Sequence, residues 1–175
     1  MSAFATLLRG GDSHVLHGVA TVVDVVLHDH ARFGELVACL DDADALVRMR
    51  AADAAEKITR DAPELLQPHA DRLLALAAST EQPSLRWHLA QMLTRVRLSA
   101  EQQRAAIAAF RAYLDDKSAI VKVTALQALA DLTLQDASLR RSIVPTIRKA
   151  MQSGTAAVRS RGERLLDALE HRSRR

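Results

Sequence analysis

The feature that most constrains this chain is an amphipathic helical stripe that recurs in register. In residues 41–58, DDADALVRMRAADAAEKI, Asp44 can cap a helix opening at Ala45, its carboxylate accepting from first-turn N–H groups. Apolar residues then stand at Val47, Ala51, Ala52, Ala54, Ala55 and Ile58, one broad stripe at the helical period. With Val47 as position 0, the residues Val15, Val47, Leu85, Val121 and Val158 anchor five copies, spaced 32, 38, 36 and 37 residues apart. Position +8 is then Val23, Ala55, Leu93, Leu129 and Leu166, and +11 is Val26, Ile58, Val96, Leu132 and Leu169. Three residues before the anchors stand the capping types Asp12, Asp44, Ser118 and Thr155, with Gln82 the weak one.

A shorter helix precedes each copy. It shows Phe4, Leu36, Leu74, Phe110 and Ile147 eleven residues before the anchors, and Leu8, Leu40, Ala78, Leu114 and Met151 seven before. Two helices per unit at this period predict a solenoid, in which no unit buries its apolar face alone. The expectation is one domain over 1–175, with repeats at 1–30, 31–60, 62–97, 100–134 and 137–171 and a frayed basic tail at 171–175.

The run LDDADALVRMRAADAA, residues 40–55, resembles a HEAT repeat, and the resemblance extends over nearly the whole chain. It implies an all-α, right-handed α–α superhelix of about five hairpins whose second helices line the concave face. It also implies a ladder between neighbouring repeats, built from an acidic residue at the turn and a basic one after the anchor. Asp42 with Arg48 and Asp116 with Lys122 match those positions. Thr80 with Arg86 and Ser153 with Arg159 keep only the basic half, and Gly10 with Leu16 keeps neither. Members of the family mostly bind other macromolecules, and a branch of HEAT-like folds excises alkylated DNA bases.

Apolar residues make up 49% of the chain but aromatics only 3%, so the core is built from Ala, Leu and Val and leaves little room for a deep cofactor cavity. No cofactor is expected. No apolar run reaches the ~18 residues of a spanning helix, and the start MSAFATLLRGGD lacks a signal-peptide pattern. The one cysteine, Cys39, fits a small buried hydrophobe in a reducing cytoplasm. His14 with His17, and His28 with His30, have no third ligand close in sequence, so no metal site is expected. Residues up to Asp136 carry 14 basic and 18 acidic groups, whereas 137–175 carry 10 basic and 3 acidic, within a total net charge of +3.

Along the chain, a first helix over 2–9 turns at Gly10-Gly11 into a second running from Asp12 to His28. Leu16 and Val25 replace charges found in other repeats, which points to a stripe folded under the first helix or to a self-association face. Pro63 and Pro68 open the third hairpin, and Pro145 predicts a kink within 139–151.

At 100° per residue, positions +2, +6 and +9 of each second helix point away from the stripe. Met49, Trp87 and Val123 at +2, with Asp53, Gln91 and Gln127 at +6, therefore form the expected concave docking surface. A basic rim and patch of Arg50, Arg95, Arg159, Arg161 and Arg164 is expected to flank it, together with Lys57 and His88. An apolar row with a charged border marks a protein- or peptide-docking site. The basic last repeat offers nucleic acid as the alternative partner. A glycosylase-like role has only Trp87, Asp53 and Asp24 to draw on. Asp53 and Glu56 read as solvated surface charge, and no phosphate loop, nucleophile elbow or zinc spacing occurs. The expected function is thus a non-catalytic, cytoplasmic binding scaffold.

Overall fold

The computed structural model describes residues 2–11 and 16–172. The expected anchor Val15, the cap Asp12, His14 and the basic tail 173–175 lie outside the described residues.

Ten α-helices and no strand occur among the described residues: α1 (Ala3–Leu8), α2 (Val19–His28), α3 (Phe33–Ala38), α4 (Ala45–Asp61), α5 (Ala70–Ser79), α6 (Pro83–Leu93), α7 (Ala100–Tyr113), α8 (Ala119–Gln135), α9 (Arg140–Ser153) and α10 (Ala156–Arg172). Three of the starts carry a side-chain cap. Ser2 Oγ accepts from Phe4 N at α1, and Asp44 Oδ1 accepts from Leu46 N at 2.9 Å at α4. Ser99 and Gln102 close a capping box at α7. One turn earlier, Asp42 and Asp116 accept from the backbone N–H groups of Asp44 and Ser118 at 2.9 and 2.7 Å.

The helices form two layers. Odd-numbered helices make one, and α2, α4, α6, α8 and α10 make the other, each packed on the next. The anchors Val47, Leu85, Val121 and Val158 are buried, as are Phe4, Leu36, Leu74, Phe110 and Ile147 from the other layer. The chain is an all-α helical-repeat solenoid, as the register predicts. No helix among the described residues is long and apolar enough to cross a membrane.

Several local expectations fail for identifiable reasons. Among the described residues α2 opens only at Val19, after Gly18 in the left-handed region at φ 73°, and the expected start at Asp12 lies outside them. A Cβ on Gly18 would fall 2.1 Å from Leu7 O, so the backbone of this turn lies directly against α1. Leu16 therefore precedes the helix and is 46% exposed, while Val25 packs against the core. Seven before the anchors, Leu8 and Leu40 are buried, but Leu114 and Met151 are only half-buried and Ala78 is exposed. Pro63 opens a 3-10 segment, Pro63–His69, with Pro68 inside it, and the helix proper begins at Ala70. At Pro145, which is exposed, α9 continues without a break in the run of helical residues.

Candidate binding surface

The second-helix layer presents positions +2 and +6 on its open side. Met49 on α4, Trp87 on α6 and Val123 on α8 are all half-buried, and Trp87 and Val123 rest partly on the core. The Trp87 ring lies 4.3 Å from that of His88, centroid to centroid, and Gln91 Nε2 donates to Trp87 O at 3.3 Å. The row is thus half-covered rather than fully solvent-facing.

The charged residues are placed differently from expectation. Instead of a rim, His88, Arg95 and Arg161 form a polar seam between neighbouring second helices, and Arg50 bonds to the end of α1. Arg50 is fully buried, and its Nη1 donates to Leu8 O at 2.7 Å and Gly10 O at 2.5 Å. Arg95 lies 2.5 Å from Glu56 Oε1 and also donates to Glu56 O and Thr59 Oγ1. His88 is buried; its Nδ1 donates to Ser84 O, which turns Nε2 toward Asp53 Oδ1 at 3.7 Å. Arg161 donates to Gln127 Oε1 at 2.8 Å, and Gln127 in turn donates to Asp131 at 2.8 Å. Only Arg159 and Arg164 of the expected patch are exposed, and each donates to a backbone carbonyl of its own repeat, Gly154 O and Ser160 O. The five arginines do not converge.

Glu56 and Asp53 are correspondingly not solvated surface charges. The Glu56 side chain is 3% exposed and is gripped by both Arg95 and Arg60, the latter at 2.6 Å. Asp53 holds Lys57 Nζ at 2.7 Å. Burial alone would raise the Glu56 carboxyl, but hydrogen bonds from Arg60 and Arg95 outweigh it and hold the group below the usual carboxylate range. Burial likewise pushes against Asp53, and His88 and Lys57 outweigh it. Asp131 goes the other way, since burial raises it and Gln127 with Arg161 offsets that only in part.

These directions fix a pH dependence. A carboxylate depressed in the fold contributes stability that is present above its unfolded value, about 4.3 for Glu, and is lost as pH falls through the lower folded value. Thermal unfolding followed from pH 7 to pH 3 should show Tm falling below about 4.3, and Glu56→Gln should flatten part of that fall. An identical slope in the variant would show that the Glu56 clamp contributes nothing.

The seam was hidden for a definable reason. A helical projection places +3 and +10 beside the stripe, but in a stack those positions meet another helix about 34–41 residues away. The signal that could have found it is complementarity across one period: +3 against the preceding +6 pairs His88 with Asp53 and Arg161 with Gln127. Thr124 at +3 of α8 bonds Ile120 O of its own helix instead, and Gln135 to Thr94 O spans that joint.

At the first repeat, Leu7, Leu16 and Leu27 are 40–46% exposed, which is where the expected self-association face would lie. Cys39 is buried, with Sγ 3.4 Å from Glu35 O, and burial raises its thiol. No group of three or more metal-capable side chains occurs among the described residues.

Comparison with known proteins bears on the fold. A similar solved structure is that of an engineered protein of the Northeast Structural Genomics Consortium, 19% identical, with a TM-score of 0.62 over 96% of this chain and 78% of that one. The curated proteins give no match. A family model described as "HEAT repeat domain" matches residues 12–130, and its span includes the anchors Val47, Leu85 and Val121. The chain belongs to the HEAT repeat family.

Proposed function

We propose that this helical-repeat scaffold binds a protein or peptide on the open side of its second-helix layer, with Trp87 at the centre and Met49 and Val123 beside it. The observation that carries this reading is the incomplete cover of three large apolar side chains at one register position of three successive helices. Their borders are rigid, because Asp53, Gln127 and Arg95 are tied into the seam. A preformed apolar row with fixed polar edges binds at low ordering cost. Family membership supports a scaffold rather than an enzyme.

The test is capture from native extract with the wild-type chain and with Trp87→Ala, followed by affinity measurement on the captured protein. The variant should lose roughly 2 kcal/mol or more of binding, the scale of a hot spot, while keeping its helical circular-dichroism spectrum. Trp87 emission should shift when partner is added. Unchanged capture by a folded variant would reject the row. Nucleic acid on the last repeat, where Arg141, Arg148, Lys149, Arg159 and Arg164 are exposed, is the second reading. It predicts affinity that falls steeply with salt.

A further inference from the structure

The joints between repeats carry a rung at the turn edge, and three of the four rungs are filled by protein. Arg9 meets Asp42 at 3.0 Å, Arg48 donates to Gln82 Oε1 at 2.9 Å, and Arg86 meets Asp116 at 2.6 Å. The third rung is the fullest: Arg86 also lies over the Tyr113 ring, 5.3 Å from its centroid, and Tyr113 donates to Ala77 O.

The fourth rung has lost the parts that fill the third. Lys122 stands where Arg86 does, one after the anchor. Ala150 stands where Tyr113 does, eight before the anchor, and Ser153 where Asp116 does, five before. A phenol ring and a carboxylate are thus both absent at this joint, as at the second, where Ala77 and Thr80 hold the same positions but Gln82 fills the rung instead. A cavity of about 280 Å³ occupies this place, with Leu114, Ala150 and Val158 as its apolar part. Its charged walls are Arg111, Lys122 and Lys149 against the single acid Asp115. Arg111 is engaged with Ser142 O, and Lys122 acts electrostatically on Asp116 of the third rung, but neither lysine makes a side-chain hydrogen bond or close ion pair among the described residues. An apolar cavity of ~150 Å³ already admits benzene, so a ring fits.

We propose that this vacated rung is a binding site for an aromatic ring carrying an anionic group, the ring on Leu114, Ala150 and Val158 and the anion on Lys122 and Lys149. The ligand supplies what Tyr113 and Asp116 supply one repeat earlier. Two sources offer that chemistry: a free small aromatic anion, or a partner segment with an aromatic and an acidic side chain one helical turn apart. The site lies at the turn edge, among residues other than those of the Trp87 row, and stands or falls separately from it.

The test is an amide-shift NMR titration of the full chain with phenyl phosphate, with inorganic phosphate and benzyl alcohol as the separated halves. Saturable shifts should centre on Lys122, Ala150 and Ser153, and phenyl phosphate should bind at least tenfold more tightly than either half. Lys122→Gln should weaken it at least tenfold without changing the helical spectrum. The pair A150Y and S153D, which rebuilds the third rung in the fourth, should abolish binding and raise Tm. A blocked helical peptide with Tyr and Asp three residues apart, binding more tightly than phenyl phosphate, would identify the protein source, and weaker binding the small-molecule one. Equal binding of phosphate and phenyl phosphate, no saturable shift, or an unaffected Lys122→Gln would overturn the proposal.

Discussion

Replacing Arg50 with alanine is expected to cost the fold about 3–5 kcal/mol, a buried carbonyl left unpaired together with the cavity of a large side chain. Arg50 is the largest fully buried side chain among the described residues, and its Nη1 alone holds two carbonyls, Leu8 O and Gly10 O. Those carbonyls belong to the end of α1 and the turn after it, which have few other tethers: α1 is only six residues long. Without the guanidinium the Leu8 carbonyl stays buried and unpaired, and a void the size of the arginine side chain opens. The volume part can be separated from the polar part. Arg50→Met refills most of the void and should recover at most about half the loss, because the Leu8 carbonyl remains unpaired. Urea unfolding measures the totals, and hydrogen exchange locates them. In a stack that behaves as a sum of neighbours, protection should vanish first over 3–28. A loss under about 1 kcal/mol would mean that water or a rearranged turn satisfies the carbonyl.

Arg50 also shows where a sequence of this type becomes unreadable. The repeat itself was legible because burial imposes the same demand at each copy: Val47, Leu85, Val121 and Val158 fill equivalent holes and are all buried. A helical projection, however, describes one helix against its own partner. Arg50, Glu56 and His88 looked wet because they lie outside that stripe, yet each is buried against the preceding or following repeat. Their partners are about one period away, and only a comparison of charges at that spacing could have exposed them. The first repeat was misread for a different reason. Gly18 was an unremarkable glycine inside an apolar run, and the close approach of its backbone to Leu7 is a tertiary fact. Trp87, Met49 and Val123 stand half-buried at +2 of three second helices, on the side that a single-helix projection turns away from the stripe, though Trp87 and Val123 also rest on the core.

The two ends of one register position should respond in opposite ways to truncation. At +5, Ala52, Ala90 and Leu126 are completely buried, whereas Glu163 on α10 is exposed. Leu126 is a fully buried core residue of α8, which packs against α6, α7, α9 and α10. In α10 the same position carries a charge in solvent, which gives the stack a polar end of the kind solenoids require. Ala20, at +5 of α2, is exposed as well, because the first repeat buries Val19, Val22 and Val26 instead. Leu126→Ala should therefore cost about 2–4 kcal/mol, the transfer of a leucine plus the cavity left behind. Glu163→Ala should change stability by less than about 0.5 kcal/mol, as at ordinary surface sites. Both can be measured by urea unfolding at pH 7, where the slope of free energy against denaturant should be the same for the two variants and the wild type. Comparable losses at the two positions would mean that Glu163 is engaged in structure. The α10 face would then not be a polar cap.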